Sequence, residues 1–285
     1  MTEGASGLAL AVERIGPDGG PGVILAHGFG QTRHAWRRTA EALAATGRQV
    51  ILYDARGHGD SGRPGDGRYA IGDFVADLRT VAGLCAAPPV VVGASMGGLT
   101  ALLAHGEAPG LGLAALVLVD IAPRWQAAGV ARMIRFMRDH EDGFASLDAA
   151  RAAIGRYLSH RSGRDITGSL EDRLKYNLRA SGDRWRWHWD PRLFQLVDGA
   201  EAEQPRLAAA ARRVDVPVLL VSGGLSDILG AHEIAELRTL IPHAEWREVP
   251  RAAHMVAGDD NEAFNEAILS FLTAPEIASG REFES

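Results

Sequence analysis

Short runs of consecutive apolar residues recur along this chain, and segments with helical spacing lie between them. Each run is rich in Val, Ile and Leu and too short for a helix, so we expect strands that are buried on both faces. The segments 36–46, 74–84 and 261–272 place apolar residues three or four positions apart, which predicts helices. The expected strands cover residues 8–15, 23–26, 49–53, 90–92, 113–119, 216–221 and 244–249. This alternation is typical of an α/β protein with a mostly parallel sheet and helices on both faces.

The alternation stops after Pro123. Between residues 124 and 211 no strand-like apolar run occurs, and helical spacing appears over 130–139, 147–158 and 170–178 instead. We therefore expect a helical cap over the carboxyl ends of the strands, where open α/β sheets bind their ligands. The expected division is a core of residues 1–122 and 212–275, a cap of residues 123–211 and a loose tail of residues 276–285.

The composition narrows the classes of function open to this chain. Its 285 residues carry a net charge of −6, which gives no electrostatic attraction to nucleic acid or to an anionic membrane. Cys85 is the only cysteine, so an internal disulfide is excluded. No signal peptide is visible, and the longest apolar runs, such as 113–119, are too short to cross a bilayer. We expect a cytoplasmic protein, a monomer or a homodimer, with neither a nucleic-acid nor a membrane partner.

The stretch around Ser95 is the most informative part of the sequence. Ser95 follows the apolar run 90–92, lies between Gly93 and Gly97, and precedes the helix-forming segment 99–105. Glycines are needed where a sharp strand-to-helix turn leaves no room for a Cβ atom. Such a turn holds the serine hydroxyl at the start of a helix. The arrangement of strand, Gly-x-Ser-x-Gly and helix resembles the nucleophile elbow of the α/β-hydrolase family.

This resemblance implies both a fold and a reaction. The fold is a mostly parallel sheet of the eight-stranded type, with helices on both faces and a helical cap inserted after the sixth strand. The reaction is the cleavage of a small carboxylic ester, thioester or lactone through an acyl-enzyme on Ser95. A serine at this position disfavours the haloalkane dehalogenases and the matching epoxide hydrolases, which use aspartate there. No cofactor is implied, and the sequence has no spacing typical of a metal site.

A serine nucleophile needs a base, and the base needs an acid that orients it. In this family the chain order is serine, acid, histidine. His254 follows the last expected strand and precedes the closing helix, so we expect it to be the base. Asp227 follows a buried strand and two glycines, and we expect it to be the acid. Asp120 also ends a strand and is the alternative acid.

The oxyanion that forms during acyl transfer needs two fixed N–H donors. Met96, directly after the nucleophile, is expected to give one of them from the helix N-terminus, where the helix dipole also helps. Residues 27–30 read His-Gly-Phe-Gly and resemble the oxyanion loop of the family, so the N–H of Phe29 is the expected second donor. We expect His27 to hold this loop through packing and hydrogen bonds.

A second glycine-rich stretch, residues 54–62, resembles the Asp-x-Arg-Gly-x-Gly-x-Ser segment of the same family. It lies next to the expected site because it follows the strand 49–53. We expect Asp54 and Arg56 to form a structural ion pair. His58 is expected to belong to the scaffold.

Two other classes of function compete with the esterase. A lyase or synthase of the same fold would use the triad to abstract a proton without forming an acyl-enzyme. A non-catalytic receptor for a small ligand would keep only the pocket. The cap aromatics either line a substrate pocket or pack between cap helices, since aromatic side chains dominate both environments. The candidates for the pocket are Trp125, Trp185, Trp187 and Trp189.

Overall fold

The computed structural model of this chain describes residues 1–162, 174–259, 261–274 and 277. Its strands are β1 (Thr2–Glu3), β2 (Ala9–Leu10), β3 (Val12–Ile15), β4 (Gly22–Ala26), β5 (Gln49–Tyr53), β6 (Val90–Ala94), β7 (Ala115–Val119), β8 (Leu178–Ser181), β9 (Arg184–Trp187), β10 (Val218–Gly223) and β11 (Glu245–Val249). Seven of these strands form one sheet in the order β11-β10-β7-β6-β4-β5-β3. All neighbours in this sheet are parallel except β3 and β5, which are antiparallel. The predicted α/β class is therefore confirmed.

The sheet has one strand fewer than the eight-stranded type that was expected, within the described residues. The insertion also follows the fifth sheet strand along the chain, β7, instead of the sixth. The expected first strand, 8–15, is divided because the backbone N–H of Ala11 bonds to the hydroxyl of Ser61 at 2.9 Å. As a result, β2 pairs with β1 in a separate two-stranded ribbon, and only β3 joins the sheet.

Helices cover both faces of the sheet and bury successive residues of each strand on opposite sides. Leu25 of β4 packs in a cluster with Trp36 and Phe264, whereas Ile24 packs in the opposite cluster with Leu102. Full burial of one such side chain stabilises the fold by about 1.5–3 kcal/mol. The helices are α1 (Arg37–Ala44), α2 (Ile71–Ala82), α3 (Met96–Gly106), α4 (Ala127–Asp139), α5 (Leu147–Ser162), α6 (Phe194–Asp198), α7 (Gln204–Ala211), α8 (Ala231–Leu240), α9 (Val256–Asp259) and α10 (Asn261–Leu272).

The segment 123–211, called the cap segment below, contains a β-hairpin as well as helices. The expectation of a purely helical segment is wrong, because β8 and β9 pair antiparallel around a turn with Gly182 at φ 63°. The sequence Arg-Trp-Arg-Trp of β9 alternates with the period of a strand. Trp185 extends the pairing by exchanging two backbone hydrogen bonds, of 2.7 and 2.8 Å, with Phe144.

Two expected features lie partly outside the described residues. Of the predicted helix 170–178, residues 174–177 are helical, Leu178 opens β8, and 170–173 are outside the described part. The expected tail, 276–285, lies outside it as well, apart from residue 277. Among the helices that are described, none combines the length and the apolar character needed to cross a membrane.

Candidate active site

Ser95 occupies the tight turn between β6 and α3. Its φ of 48° lies in the left-handed region, which residues with a side chain seldom adopt. The turn is crowded by backbone: a Cβ atom at Gly97 would overlap the carbonyl of Ala26, and one at Gly93 would overlap the backbone of Gly97. Glycine at these two positions therefore allows α3 to begin directly at the sheet edge. This geometry agrees with the strained strand-to-helix turn expected from the sequence.

Asp120 stands beside Ser95 at the same edge of the sheet. Ala94 and Val119 are partners across β6 and β7, so Ser95 and Asp120 are each the first residue beyond two neighbouring parallel strands. Asp120 shares the unusual backbone of Ser95, with φ 49°, and is completely buried. Two adjacent strand ends thus place Ser95 and Asp120 at the same edge of the sheet.

The carboxylate of Asp120 is fully engaged in hydrogen bonds. Nδ1 of His254 donates to it at 2.8 Å, the hydroxyl of Ser226 at 2.6 Å and the backbone N–H of Gly223 at 3.0 Å. Because a carboxylate accepts, Nδ1 of His254 carries a proton and Nε2 is the nitrogen with the lone pair. The imidazole is therefore oriented by a buried acid, in the tautomer that a general base requires.

The expectation that Asp227 orients His254 is wrong, because the structure gives this contact to Asp120. Asp227 lies in the turn after β10, and its carboxylate meets Arg132 of α4 at 2.8 Å. The neighbouring Ser226 donates to Asp120, so the turn supports the acid without supplying it. The two aspartates differ in distance from a strand end: Asp120 follows β7 directly, whereas Asp227 lies beyond a turn that carries it towards the cap segment.

The His-Gly-Phe-Gly loop, residues 27–30, is held by its own histidine. His27 donates from Nδ1 to the carbonyl of Gly28 at 2.8 Å and accepts at Nε2 from the N–H of Ala55 at 2.9 Å. Gln31 closes the loop, because its N–H donates to Gly28 O and its side-chain oxygen accepts from Gly28 N. The Gln31 amide also donates to the sulfur of Met255, next to His254. These contacts support the predicted scaffold role of His27.

The two expected oxyanion donors belong to the two segments that meet at Ser95, helix α3 and the loop 27–30. Met96 is the first residue of α3, where a helix leaves its N–H without an intrahelical acceptor. Phe29 lies in the His-Gly-Phe-Gly loop, and Phe29 and Met96 both border the same cavity as Ser95. Within the described part of the chain, neither N–H donates to a protein acceptor. Both groups are thus available to a ligand atom beside Ser95.

Two further histidines hold the same loop: His58, which was expected to belong to the scaffold, and His188, which no sequence pattern indicates. His58 accepts at Nε2 from the N–H of Gly30 at 3.2 Å and donates at Nδ1 to the carbonyl of Arg56. His188 of the cap segment donates from Nε2 to the carbonyl of Gly30 at 3.2 Å. At Nδ1 it accepts from the N–H of Gly59 at 2.8 Å. A cap histidine bound to the loop has no sequence signal, because the contact depends on how the cap segment is placed.

These three histidines are neutral in the folded protein. Burial lowers the pKa of His27 and of His188, the latter to about 3, and it places the pKa of His58 well below its usual range, with His27 and His188 adding to the effect. Each ring uses one nitrogen as donor and the other as acceptor to the backbone, so no ring nitrogen remains for a metal. In the described residues, no group of three or more His, Cys, Asp or Glu side chains is arranged to hold a metal ion.

The expected ion pair between Asp54 and Arg56 is wrong. Arg56 forms a bidentate pair with Asp77 of α2, at 2.7 and 2.8 Å, and both side chains are buried. Asp54 is buried as well, and it binds the guanidinium of Arg33. Each of these charges therefore meets a partner from a different part of the chain.

A narrow apolar cavity of about 90 Å³ leads away from Ser95 between the sheet and the cap segment. Helix α4 supplies Met133 and Ile134, α6 supplies Leu196, and α3 supplies Leu103. Among the described residues that line the cavity, Glu203 is the one that is charged. The remaining lining residues are Phe29, Ile71, Met96, Leu99, Ile121, Trp125, Val130, Val197, Ala200 and Leu207.

The four candidate tryptophans separate into two groups. Trp125 lines the cavity with Ser95. Trp187 packs on Phe144 with ring centroids 5.4 Å apart, and Trp185 belongs to the same small cluster inside the cap segment. Trp189 is buried and supports the cavity from behind, with its ring 5.5 Å from that of Phe29. Of the two possibilities that the sequence left open, lining of the cavity applies to Trp125, and packing applies to Trp185, Trp187 and Trp189.

Comparisons with known proteins agree with this geometry. A family model described as the alpha/beta hydrolase fold matches residues 21–260. This chain belongs to the alpha/beta hydrolase fold family. It is 28% identical over 269 residues to the sn-1-specific diacylglycerol lipase of Mus musculus, covering 88% of this chain and 81% of that protein. A solved esterase of M. tuberculosis superposes with a TM-score of 0.72 at 26% identity, covering 93% of this chain and 92% of that one.

The family also contains a relative with a different reaction. A protein of Bacillus subtilis carries the name 2-succinyl-6-hydroxy-2,4-cyclohexadiene-1-carboxylate synthase and is 27% identical over 279 residues, covering 95% of this chain and 97% of that protein. Hydrolases thus dominate the similar proteins that are named here, and one synthase stands beside them.

Proposed function

We propose that this protein is a serine carboxylic ester hydrolase with Ser95 as nucleophile, His254 as general base and Asp120 as orienting acid. The single observation that carries the proposal is the 2.8 Å hydrogen bond from His254 Nδ1 to Asp120, at the strand end next to Ser95. Asp120 and His254 supply the acid and the base that nucleophilic catalysis by serine requires, and Ser95 ends the strand next to that of Asp120.

The proposed reaction has two halves. Oγ of Ser95 attacks the ester carbonyl carbon while its proton passes to Nε2 of His254. The tetrahedral intermediate then collapses, the bond to the leaving oxygen breaks, and His254 returns the proton to the departing alcohol. In the second half, His254 takes a proton from water, the hydroxide attacks the acyl-enzyme, and the carboxylic acid leaves as Ser95 regains its proton.

The negative charge of the intermediate falls on the former carbonyl oxygen. The backbone N–H groups of Phe29 and Met96 are the proposed donors to it, and the N-terminus of α3 adds its dipole. Loss of one such donor lowers kcat by about 10²–10³ in enzymes of this kind. The hydrogen bonds of His27 and Gln31 to Gly28 support this proposal, because they fix the peptide that carries the Phe29 N–H.

The proposed substrate has an apolar acyl group, and residues 123–211 serve as a cap that selects it. The cavity beside Ser95 is lined by aliphatic and aromatic side chains from both the core and the cap segment. Burial of each methylene group of an acyl chain there contributes about 0.8 kcal/mol to binding. Simple esters, thioesters and lactones with a short or medium hydrocarbon chain meet this requirement.

The lining of the pocket favours ester hydrolysis over the synthase reaction. The Bacillus subtilis relative makes, by its name, a carboxylate. An anion of this kind needs a cationic partner in a buried site. The described residues that line the cavity include no Lys or Arg, and the one charged residue, Glu203, would repel a carboxylate. The complete Ser95, His254 and Asp120 set likewise favours an enzyme over a receptor.

The proposal is tested with a series of p-nitrophenyl esters of increasing acyl length, together with simple thioesters and lactones. We expect hydrolysis by the native protein, its loss in Ser95→Ala, and labelling of Ser95 alone by a fluorophosphonate. Ser222→Ala is the matched control, since Ser222 is a buried serine on β10 of the same sheet. Full activity in Ser95→Ala, or labelling at another residue, would overturn the assignment.

A further inference from the structure

The peptide groups of Gly30 are held from two sides by two different histidines. His58, from the core, accepts from the Gly30 N–H, and His188, from the cap segment, donates to the Gly30 carbonyl. Gly30 is buried and has φ 74°, a conformation that suits glycine. Its neighbour Phe29 carries the proposed oxyanion donor. The cap segment therefore contacts Gly30, the residue next to Phe29, whose N–H would stabilise the transition state.

Two hydrogen bonds fix the orientation of the His188 ring relative to the loop. The His188 ring is buried, and its second nitrogen accepts from the N–H of Gly59 in the core. With both nitrogens bound to backbone, the ring cannot rotate without breaking two hydrogen bonds. Trp189, the next residue, packs its ring on Phe29. Two consecutive cap residues thus hold two consecutive loop residues.

We propose that His188 is a positioning residue that couples the seating of the cap to the geometry of the oxyanion loop, through its Nε2–H bond to the Gly30 carbonyl. The inference rests on the proposed function, because it assigns the Phe29 N–H to the oxyanion. His188 itself contacts neither the substrate nor the reacting atoms in this scheme. His188 holds Gly30, the residue after Phe29, and His27 holds Gly28, the residue before it.

This coupling has a physical reason, namely the free-energy cost of leaving the buried carbonyl of Gly30 without a hydrogen bond. Without the His188 donor, a buried carbonyl loses its hydrogen bond, which disfavours the present loop conformation. The loop then relaxes towards a conformation in which this carbonyl finds another partner, and the Phe29 N–H moves with it. A displacement of about 1 Å in such a site costs about 10²-fold in rate. The expected effect is on kcat, since the acyl pocket does not include His188.

Two conservative variants separate the two hydrogen bonds of the ring. The amide nitrogen of Gln reaches the position of Nε2, so His188→Gln keeps a donor for Gly30. The amide oxygen of Asn reaches the position of Nδ1, so His188→Asn keeps an acceptor for Gly59 and loses the donor to Gly30. Tyr69→Phe is the matched control, because it removes another buried cap-to-core hydrogen bond, from Tyr69 to Asp190 at 2.8 Å, away from the loop.

We expect His188→Asn to lower kcat about tenfold to a hundredfold with KM within about twofold of the native value. His188→Gln should keep kcat within a few-fold, and Tyr69→Phe should lower Tm without changing kcat. The second readout is hydrogen exchange of the Gly30 amide, measured by NMR. It should accelerate in His188→Asn and stay slow in His188→Gln and Tyr69→Phe, because a loosened loop opens more often.

Any one of three results would overturn the proposal. These are native kcat and native Gly30 exchange in His188→Asn, equal damage in both His188 variants, and a matching loss of kcat in Tyr69→Phe. Failure of the proposed function has a different signature, namely a native protein that neither hydrolyses the esters nor reacts with the fluorophosphonate at Ser95. In that case the exchange rates of Gly30 still decide whether His188 positions the loop.

Discussion

Asp120 accepts a hydrogen bond of 2.8 Å from Nδ1 of His254, which lies 134 positions further along the chain. The contact forms because the loop after β11 returns to the end of β7, with β10 between them in the sheet. Ser226 and Gly223 donate to the same carboxylate, so the acid cannot rotate away from the imidazole. This pair is the basis of the first prediction.

Asp120→Asn should lower kcat by about 10⁴, because an amide presents the wrong partner to the imidazole and favours the wrong tautomer. Asp227→Asn should change kcat by less than about threefold, since the carboxylate of Asp227 binds Arg132 in a partly exposed ion pair and the contact to His254 belongs to Asp120. Both variants are compared in kcat for one ester, with fold checked by circular dichroism. A larger loss in Asp227→Asn than in Asp120→Asn would contradict the assignment.

The preferred acyl length should depend on Trp125 and not on Trp187. Trp125→Phe widens the cavity beside Ser95, so the ratio of kcat/KM for long over short esters should rise by about tenfold or more, at 1–3 kcal/mol per methylene group. Trp187→Phe is the control: its indole N–H donates to the carbonyl of His140 inside the cap segment. It should lower Tm and leave the chain-length profile unchanged. If only Trp187→Phe shifted the chain-length profile, the acyl pocket would not be the cavity beside Trp125.

The buried pair of Arg56 and Asp77 should contribute strongly to stability when one partner is removed. Asp77→Ala removes the bidentate partner of a guanidinium that is only 4% exposed, and we expect a loss of about 3–5 kcal/mol in the free energy of unfolding. Asp73→Ala removes a second carboxylate, 3.5 Å from Arg56 and 40% exposed. It should cost no more than about 1 kcal/mol. Urea denaturation measures both, and equal losses would contradict the distinction.

Stability should fall with pH on the acid side of neutrality. The pKa values of His27, His58 and His188 are lower in the folded chain than the value of about 6.5 in the unfolded chain, so the unfolded state binds more protons below that pH. The stabilisation is fully present above about pH 6.5 and is lost as the pH falls towards 3. Each such group contributes a slope of up to about 1.4 kcal/mol per pH unit.

The contribution of His188 to the pH dependence of the free energy of unfolding can be measured separately. His188→Gln cannot be protonated, so the free energy of unfolding should depend less steeply on pH between about 4 and 6. His232→Gln is the control, because the His232 side chain is 78% exposed on α8. Urea denaturation at several pH values provides the measurement. An unchanged slope in His188→Gln would mean that this imidazole is not held neutral by the fold.

Much of the fold could be predicted from the sequence because its signals are local. Apolar runs such as 90–92 and helical spacing such as that of 261–272 specify strands and helices without reference to the rest of the chain. The division of the first strand at Ala11 was not predictable, since it depends on a hydrogen bond to Ser61 fifty positions away. The hairpin in the cap segment was not predictable, because the alternation in β9 covers only four residues and its pairing with β8 is formed only in the folded chain.

The candidate site shows the same boundary between local and long-range information. Ser95 and His254 could be selected by position, since each follows a strand and precedes a helix in the sequence itself. Their catalytic roles remain predictions. The acid could not be selected, because Asp120 and Asp227 both follow strands in the sequence. The order of β7 and β10 in the sheet, and the direction of the turn after β10, decide which carboxylate reaches the imidazole.

By itself, the sequence determined the α/β architecture, the strand-to-helix turn at Ser95 and the His-Gly-Phe-Gly loop, since each follows from residue types within a few positions. Only the tertiary structure decided that Asp120 holds His254, that Trp125 borders the cavity while Trp187 packs inside the cap segment, and that His188 reaches Gly30. These contacts join residues from separate elements. Hydrogen bonds and packing act over a few ångströms in space, whatever the separation along the chain, so sequence patterns do not record them.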